Sequence, residues 1–324
     1  MRFVQLIFSP TGGVKRAAGL LSAPMAEQPD IIDLSLPLNG TPRFSPEDVC
    51  LIAVPCFGGR APEIALERLA QTQGGGARAI LLSVYGNRSD EDTLFELKGA
   101  AMRAGYVPMA AVRAVAQHSI VPAIAAGRPD EEDARRLAQF GRVIRDRLTE
   151  PNAPPLSLAK KELLRPFGGL PVHPRAGKAC TGCGKCASLC PVGAIPSRDP
   201  SQTLETLCIT CMRCVAVCPV HARRLSPLVV KLAGRKLKKK CARRQEPELI
   251  FYLLPSRLRR ANLRHLKWSK SATDRDNFKC PSKREALSSR YCNLYQKAPS
   301  SGRTACRPQC GRQTGKMPKV CQRS

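Results

Sequence analysis

Short apolar runs alternate with amphipathic stretches through the first 148 residues of this chain. Phe3 to Phe8, Ile31 to Leu36, Val49 to Val54, Ala79 to Tyr85 and Val107 to Val115 are each one strand long. Most are apolar at consecutive positions, the pattern of a strand buried on both faces. Between them apolar residues recur at helical spacing. Ala17, Ala18 and Leu21 share one face, and Ile64, Leu66 and Leu69 mark a second helix. Ser89 and Asp92 read as a capping box for a third. A fourth helix, Asp130 to Leu148, carries Ala134, Leu137, Ala138, Gly141, Ile144 and Leu148 on one face. Strand alternating with helix predicts an α/β fold, a doubly wound parallel sheet of five strands over residues 1–148. The pattern then stops. Residues 149–170, with Pro151, Pro154, Pro155, Pro166, Gly168 and Gly169, read as a linker.

Residues 171–230 have another organisation, set by cysteine. Cys180, Cys183, Cys186 and Cys190 precede Pro191; Cys208, Cys211, Cys214 and Cys218 precede Pro219. Both runs read C-x2-C-x2-C-x3-C-P, and Pro191-Val192-Gly193-Ala194 repeats as Pro219-Val220-His221-Ala222. A tight loop with a cysteine at every third residue aims three thiolates at one small volume. Zinc sites favour paired C-x2-4-C ligands, and a disulfide framework needs an oxidising compartment. The spacing is that of bacterial two-cluster ferredoxins, in which the fourth cysteine of each run serves the other cluster. The expectation is two 4Fe–4S clusters in a small α+β domain. One takes Cys180, Cys183, Cys186 and Cys218; the other takes Cys208, Cys211, Cys214 and Cys190.

The first strand ends in Ser9-Pro10-Thr11-Gly12-Gly13-Val14. Hydroxyls and free N–H groups before a helix make a phosphate site. Ser9, Thr11 and Gly12 resemble the FMN phosphate loop of flavodoxins; Gly13 is compatible with it, and Val14 replaces a hydroxyl. Two further loops leave the carboxyl ends of strands, where such sheets bind ligands. They are Pro55 to Pro62 and Tyr85-Gly86-Asn87-Arg88. Phe57 and Tyr85 are candidates to flank a flavin ring, with Gly86 and Asn87 beside it and Arg60 or Arg88 to steady an anionic flavin. The alternative is a fold of this kind without flavin, in which Phe57 and Tyr85 only pack. Cys50 reads as a core residue, Cys56 as either packed or redox-active, and His118 as either a structural hydrogen-bonding group or a proton relay.

Taken together, the S-P-T-G loop, Val54 to Pro62, Val84 to Arg88 and the eight cysteines resemble the flavodoxin–ferredoxin fusion family, over about residues 1–250. The resemblance implies a flavodoxin-like domain with FMN, followed by a two-cluster ferredoxin domain, and an electron-transfer role.

Charge refines this picture. The 324 residues carry a net +28, of which residues 251–324 hold 18 Lys and Arg against 3 Asp and Glu. Lys236, Lys238, Lys239 and Lys240 open a basic segment, 231–254, read as a solvated end. Residues 255–324 lose all hydrophobic period and are expected to be a disordered or aberrant basic extension. That extension is expected to bind no specific nucleic acid, though it could neutralise phosphates non-specifically. No apolar run is long enough for a membrane span. Met1-Arg2 leads directly into a strand without an export leader, so the expectation is cytoplasmic. Gly74-Gly75-Gly76 precedes a strand instead of following one, so it reads as a turn and not as a nicotinamide fingerprint. The sequence therefore suggests an electron carrier for redox partner proteins, acidic ones by charge. The rivals are an oxidoreductase acting on a small substrate and a redox sensor or scaffold.

Overall fold

The computed structural model describes residues 2–150, 153–158 and 171–251. The linker expectation for 149–170 falls mostly outside these residues, and that for 255–324 entirely so.

The five expected strands form as β1 (Phe3–Ile7), β2 (Asp30–Asp33), β3 (Val49–Pro55), β4 (Arg78–Tyr85) and β5 (Val107–Val115). They pair in parallel in the order β2-β1-β3-β4-β5. This is the doubly wound, flavodoxin-like order, with a switch point between β1 and β3. The helices are α1 (Gly13–Ser22), α2 (Glu63–Ala70), α3 (Thr93–Arg103) and α4 (Glu131–Thr149). Val4, Leu6 and Phe8 pack in the core that Ala65, Leu69 and Leu97 of α2 and α3 complete. Phe3 and Ile7 belong to the other core, with Ala17 and Leu21 of α1 and Leu137 and Ile144 of α4. Gln5 is the polar exception in this run, and its amide donates to Ser22 Oγ at 2.7 Å.

Two local expectations are corrected. β2 is shorter than Ile31 to Leu36 and mostly exposed, because it is a sheet edge. Asp33 accepts the Ser35 N–H at 2.7 Å and turns the chain after it. Ser89 and Asp92 do not make a capping box: Asp92 is the N-cap of α3 but its side chain makes no capping bond to the helix, and Ser89 Oγ accepts from Glu91 N–H. The capping box is at α4, where Asp130 and Asp133 satisfy each other's N–H groups.

A sixth strand joins the sheet. β8 (Glu248–Ile250) pairs antiparallel with β5, Ala111 facing Ile250. The five-strand expectation missed it, because three residues carry little pattern and the free edge of β5 recruits them.

Between α4 and β8 lies the cysteine-rich segment. β6 (Arg175–Ala176) and β7 (Arg223–Arg224) pair antiparallel, and each cysteine run ends in a one-turn helix, α5 (Lys185–Ser188) or α6 (Arg213–Ala216). Then α7 (Pro227–Lys238) leads towards β8. The basic run at Lys236 stands at the end of this helix and just after it, and its lysines are exposed, as expected.

Candidate iron–sulfur and flavin sites

The internal repeat survives in the backbone. Gly182 and Gly184 take left-handed φ of 71° and 74° between the cysteines of the first run. In the second run Thr210 and Met212 take φ of 52° and 65° at the same places. Glycine adopts this region freely and other residues at a cost of about 1–2 kcal/mol. The Thr210 hydroxyl donates to Val172 O at 2.7 Å, which helps hold its turn. Both loops therefore wrap their three thiols the same way.

Two pockets result. One is lined by Cys190, Cys208, Cys211 and Cys214, the other by Cys180, Cys183, Cys186 and Cys218. Each draws its fourth cysteine from the opposite run. The two crossing thiols also share a partner type: Ala194 N–H donates to Cys190 Sγ and Ala222 N–H to Cys218 Sγ, both at 3.2 Å. Among the described residues no three Cys, His, Asp or Glu side chains are grouped to share a single metal ion. A tetrahedral zinc with Zn–S about 2.3 Å needs thiolates only about 3.8 Å apart. A cubane, with one thiolate on each of four irons, spreads them wider. Four thiols line each pocket, the number that a cluster with one thiolate per iron requires.

Burial raises the Cys211 thiol to about 12 and the Cys214 thiol to about 11. Burial also pulls Cys218 upward, but the backbone N–H groups of Arg223, Ala222 and Val220 leave it lowered overall. Without iron, the first two thiols hold their protons, so cluster assembly must release them.

Arg223 is a site residue the sequence reading missed. It is 1% exposed and lines the second pocket. Its guanidinium donates to Thr203 Oγ1 and Gln202 O, both at 2.6 Å, and also to Pro174 O and Pro200 O. It thereby fixes the 200–203 loop, whose Pro200 lines the pocket. An arginine five residues after the last cysteine of a run is no sequence signal by itself; its burial is what distinguishes it.

At the carboxyl ends of β1, β3, β4 and β5 a cavity of about 580 Å³ opens. Thr11, Gly13, Phe57, Tyr85 and Gly86 line it, as the sequence suggested. Three candidates lie elsewhere. Gly12 lines an adjoining hollow of about 330 Å³ with Arg16. Ser9 Oγ accepts the Lys15 N–H of α1 at 2.9 Å, so it caps the helix. Asn87 is buried and faces the returning chain: its amide donates to Cys241 O at 2.8 Å and Arg243 O at 3.0 Å and accepts from Gln245 N–H at 2.9 Å.

The neighbours of the cavity also separate. Arg60 pairs with Glu96 and does not line it, whereas Arg88 lines it and pairs with Glu91. Phe57 meets Phe8 edge to face at 6.4 Å, and burial lifts the Tyr85 phenol to about 12. Cys56 is likewise raised, to about 11, chiefly by burial, which keeps it a thiol. Cys50 is a fully buried core residue. His118 Nδ1 accepts N–H groups of Ile120 and Val121 at 3.2 Å, and burial, then Arg88, lowers its pKa. That ring is neutral, with Nδ1 already engaged. Gly86 leaves room for it: a Cβ there would stand 2.6 Å from His118 Cδ2.

The cavity's remaining wall comes from the cysteine-rich half. Ile209, Thr210 and Cys211 form one side, and Val229, Leu232, Ala233, Lys236 and Leu237 of α7 another. Cys211 therefore lines both this cavity and a cluster pocket. The lining includes Arg88 and Lys236 and no Asp or Glu. Its size is within the range of cofactor sites, about 300–1,000 Å³. Aromatic walls, a loop of free N–H groups before α1 and cationic lining suit a flavin; Val14 offers the phosphate no hydroxyl.

Residues 174–223 match the family model of the 4Fe-4S dicluster domain. The chain joins this domain to a flavodoxin-like sheet, and the pairing indicates redox electron transfer. Among solved structures the chain is similar to the Streptococcus pneumonia TIGR4 flavodoxin, at 17% identity, over 43% of this chain and 95% of that one, with a TM-score of 0.30. No curated protein matches this chain. None of the described helices is long and apolar enough to cross a membrane.

Proposed function

We propose that this protein is an electron relay holding two 4Fe–4S clusters and one FMN. In this reading residues 1–148 form the flavin domain and 171–230 the two-cluster domain. Cys180, Cys183, Cys186 and Cys218 hold one cluster, and Cys208, Cys211, Cys214 and Cys190 the other. Thr11, Gly13, Phe57, Tyr85 and Gly86 surround the flavin. The observation that carries the proposal is Cys211, which lines the flavin cavity and a cluster pocket at once. A flavin exchanges two electrons or one, whereas each cluster exchanges one, so the cofactors supply the redox chemistry. The chain's own part is to set them side by side, exclude water from the Cys211 wall and fix their electrostatics. Eight thiolates suit a reducing compartment, so we place the protein in the cytoplasm. The net charge favours acidic redox partners.

Anaerobic reconstitution with iron, sulfide and FMN tests this reading. The expected product carries eight irons and one FMN per chain. Four irons, or no retained flavin, would overturn it. Crossing has its own test. Cys190→Ser is expected to deplete the cluster of Cys208, Cys211 and Cys214 and spare the cluster of its own run. Electron paramagnetic resonance of the reduced variant distinguishes the two.

A further inference from the structure

We propose that the rim of the pocket formed by Cys180, Cys183, Cys186 and Cys218 is the docking surface for an acidic redox protein. The inference rests on the relay reading and adds where the partner binds.

The two cluster pockets face different surroundings. Around the first, Cys211 forms part of the flavin cavity wall, Met212 is buried, and Arg213 reaches Asp33 of the flavodoxin-like half at 3.5 Å. The second faces solvent. Cys183 is exposed, as are Thr181, Gly182, Pro219 and Val220 around it. Val220 keeps 42% of its surface exposed although it lines the pocket. An exposed apolar centre beside a cluster is what a partner covers to bring its own redox centre near.

Charge selects the partner. Residues 171–226 hold seven Lys and Arg and only two acidic residues, Asp199 and Glu205. Glu205 is paired with Arg175, and Asp199 is held by Ser201 and Gln202. Lys178 stands two residues before Cys180, Lys185 adjoins Cys186, and Arg224 follows the pocket residue Arg223. These three are exposed and form no ion pair among the described residues. Exposed cations with no anion partner among the described residues can pair with carboxylates across an interface, which speeds encounter and fixes orientation.

The experiment uses the full reconstituted chain and an acidic 2Fe–2S ferredoxin as probe, both oxidised. Calorimetry at low and high ionic strength gives the affinity, and carbodiimide cross-linking with peptide mapping locates the contact. The expected result is salt-sensitive binding with cross-links at Lys178 and Lys185. K178E/K185E/R224E is expected to weaken binding at least tenfold with its iron content unchanged, whereas K238E/K239E/K240E is expected to leave it within twofold. Lys178→Arg and Lys185→Arg, which keep the charge, are expected to bind as the parent. Unchanged affinity in the rim variant overturns the proposal. So do cross-links elsewhere, absence of binding, or equal binding of a basic c-type cytochrome. Because binding is read without electron transfer, loss of the relay function shows separately, as missing iron or flavin in the parent protein.

Discussion

Single residues at the cavity carry consequences the motif alone does not reveal. Val14 is buried in the core of α1 and α4 while lining the cavity beside Thr11 and Gly13. If the loop holds a phosphate, Val14→Thr adds a hydroxyl where the charge sits. A hydrogen bond to a charged group contributes about 1.5–3 kcal/mol. FMN affinity by fluorescence quenching is expected to rise roughly tenfold, with riboflavin, which lacks the phosphate, unaffected. Equal gains for both would dismiss the phosphate role. His118 makes a pH prediction. Its pKa in the folded protein is below the ordinary value of about 6.5, so the unfolded chain binds the proton first as pH falls. Its stabilising contribution is thus full above about pH 6.5 and declines below it, down to the lowered folded pKa. Urea unfolding of the parent and His118→Asn is expected to show a gap at pH 7.5 that shrinks by pH 5.5. A gap independent of pH would mean the ring does not titrate in this way.

At the scale of elements, close approach of α1 and α4 depends on one missing side chain. A Cβ on Gly141 would lie 2.2 Å from Leu21 O, which is backbone and has no freedom to swing aside. Overpacking of this kind costs about 1–3 kcal/mol. Gly141→Ala is therefore expected to lower the urea midpoint and leave iron content unchanged, since the cluster pockets lie elsewhere. An unchanged midpoint would show that the two helices separate freely. The sequence placed Gly141 on the buried face of its helix but gave no sign of what it touches. The loops Gly182-to-Gly184 and Thr210-to-Met212 make a related point. Two glycines in one repeat flag a left-handed turn; Thr210 and Met212 hide the same turn in the other, and only the backbone shows it.

Across the whole molecule, the two halves are tied by polar groups that local sequence patterns leave unremarked. Arg68 of α2, 5% exposed, donates to Leu34 O at 2.8 Å and reaches Pro191 O beside the last cysteine of the first run. Arg128 pairs with Asp133 and donates to Gln245 O at 2.7 Å, and Arg113 bonds Glu248 of β8 at 2.9 Å. Asn87 clasps residues 241–245. Asn87→Ala leaves Cys241 O, Arg243 O and Gln245 N–H without it, at about 1–3 kcal/mol for each group left buried and unpaired. Amide exchange at 241–250 is expected to accelerate at least about tenfold while β1 and β3 stay protected, as for a local opening. Equal acceleration throughout the sheet would mean the returning chain unfolds only with the whole.

The sequence by itself determined the five parallel strands, their helices and the repeated spacing of eight cysteines. Each rests on short-range physics: apolar runs with strand length, helical recurrence, and cysteine spacing that closes a loop around a small volume. It also located the loops of the cavity, because ligand sites in such sheets follow from strand ends. What only the tertiary structure decided is which of those loop residues face the cavity. Ser9 caps a helix, Asn87 serves as a clasp, and Lys236, exposed as expected, also lines the cavity. It also decided that Cys211 lines both the large cavity and the pocket of Cys190, Cys208 and Cys214. The hydrogen bonds to backbone carbonyls that tie the halves join residues up to 156 positions apart and are donated by buried arginines and an asparagine. Backbone carbonyls are present at every residue, so no pattern in the sequence marks which one will be used.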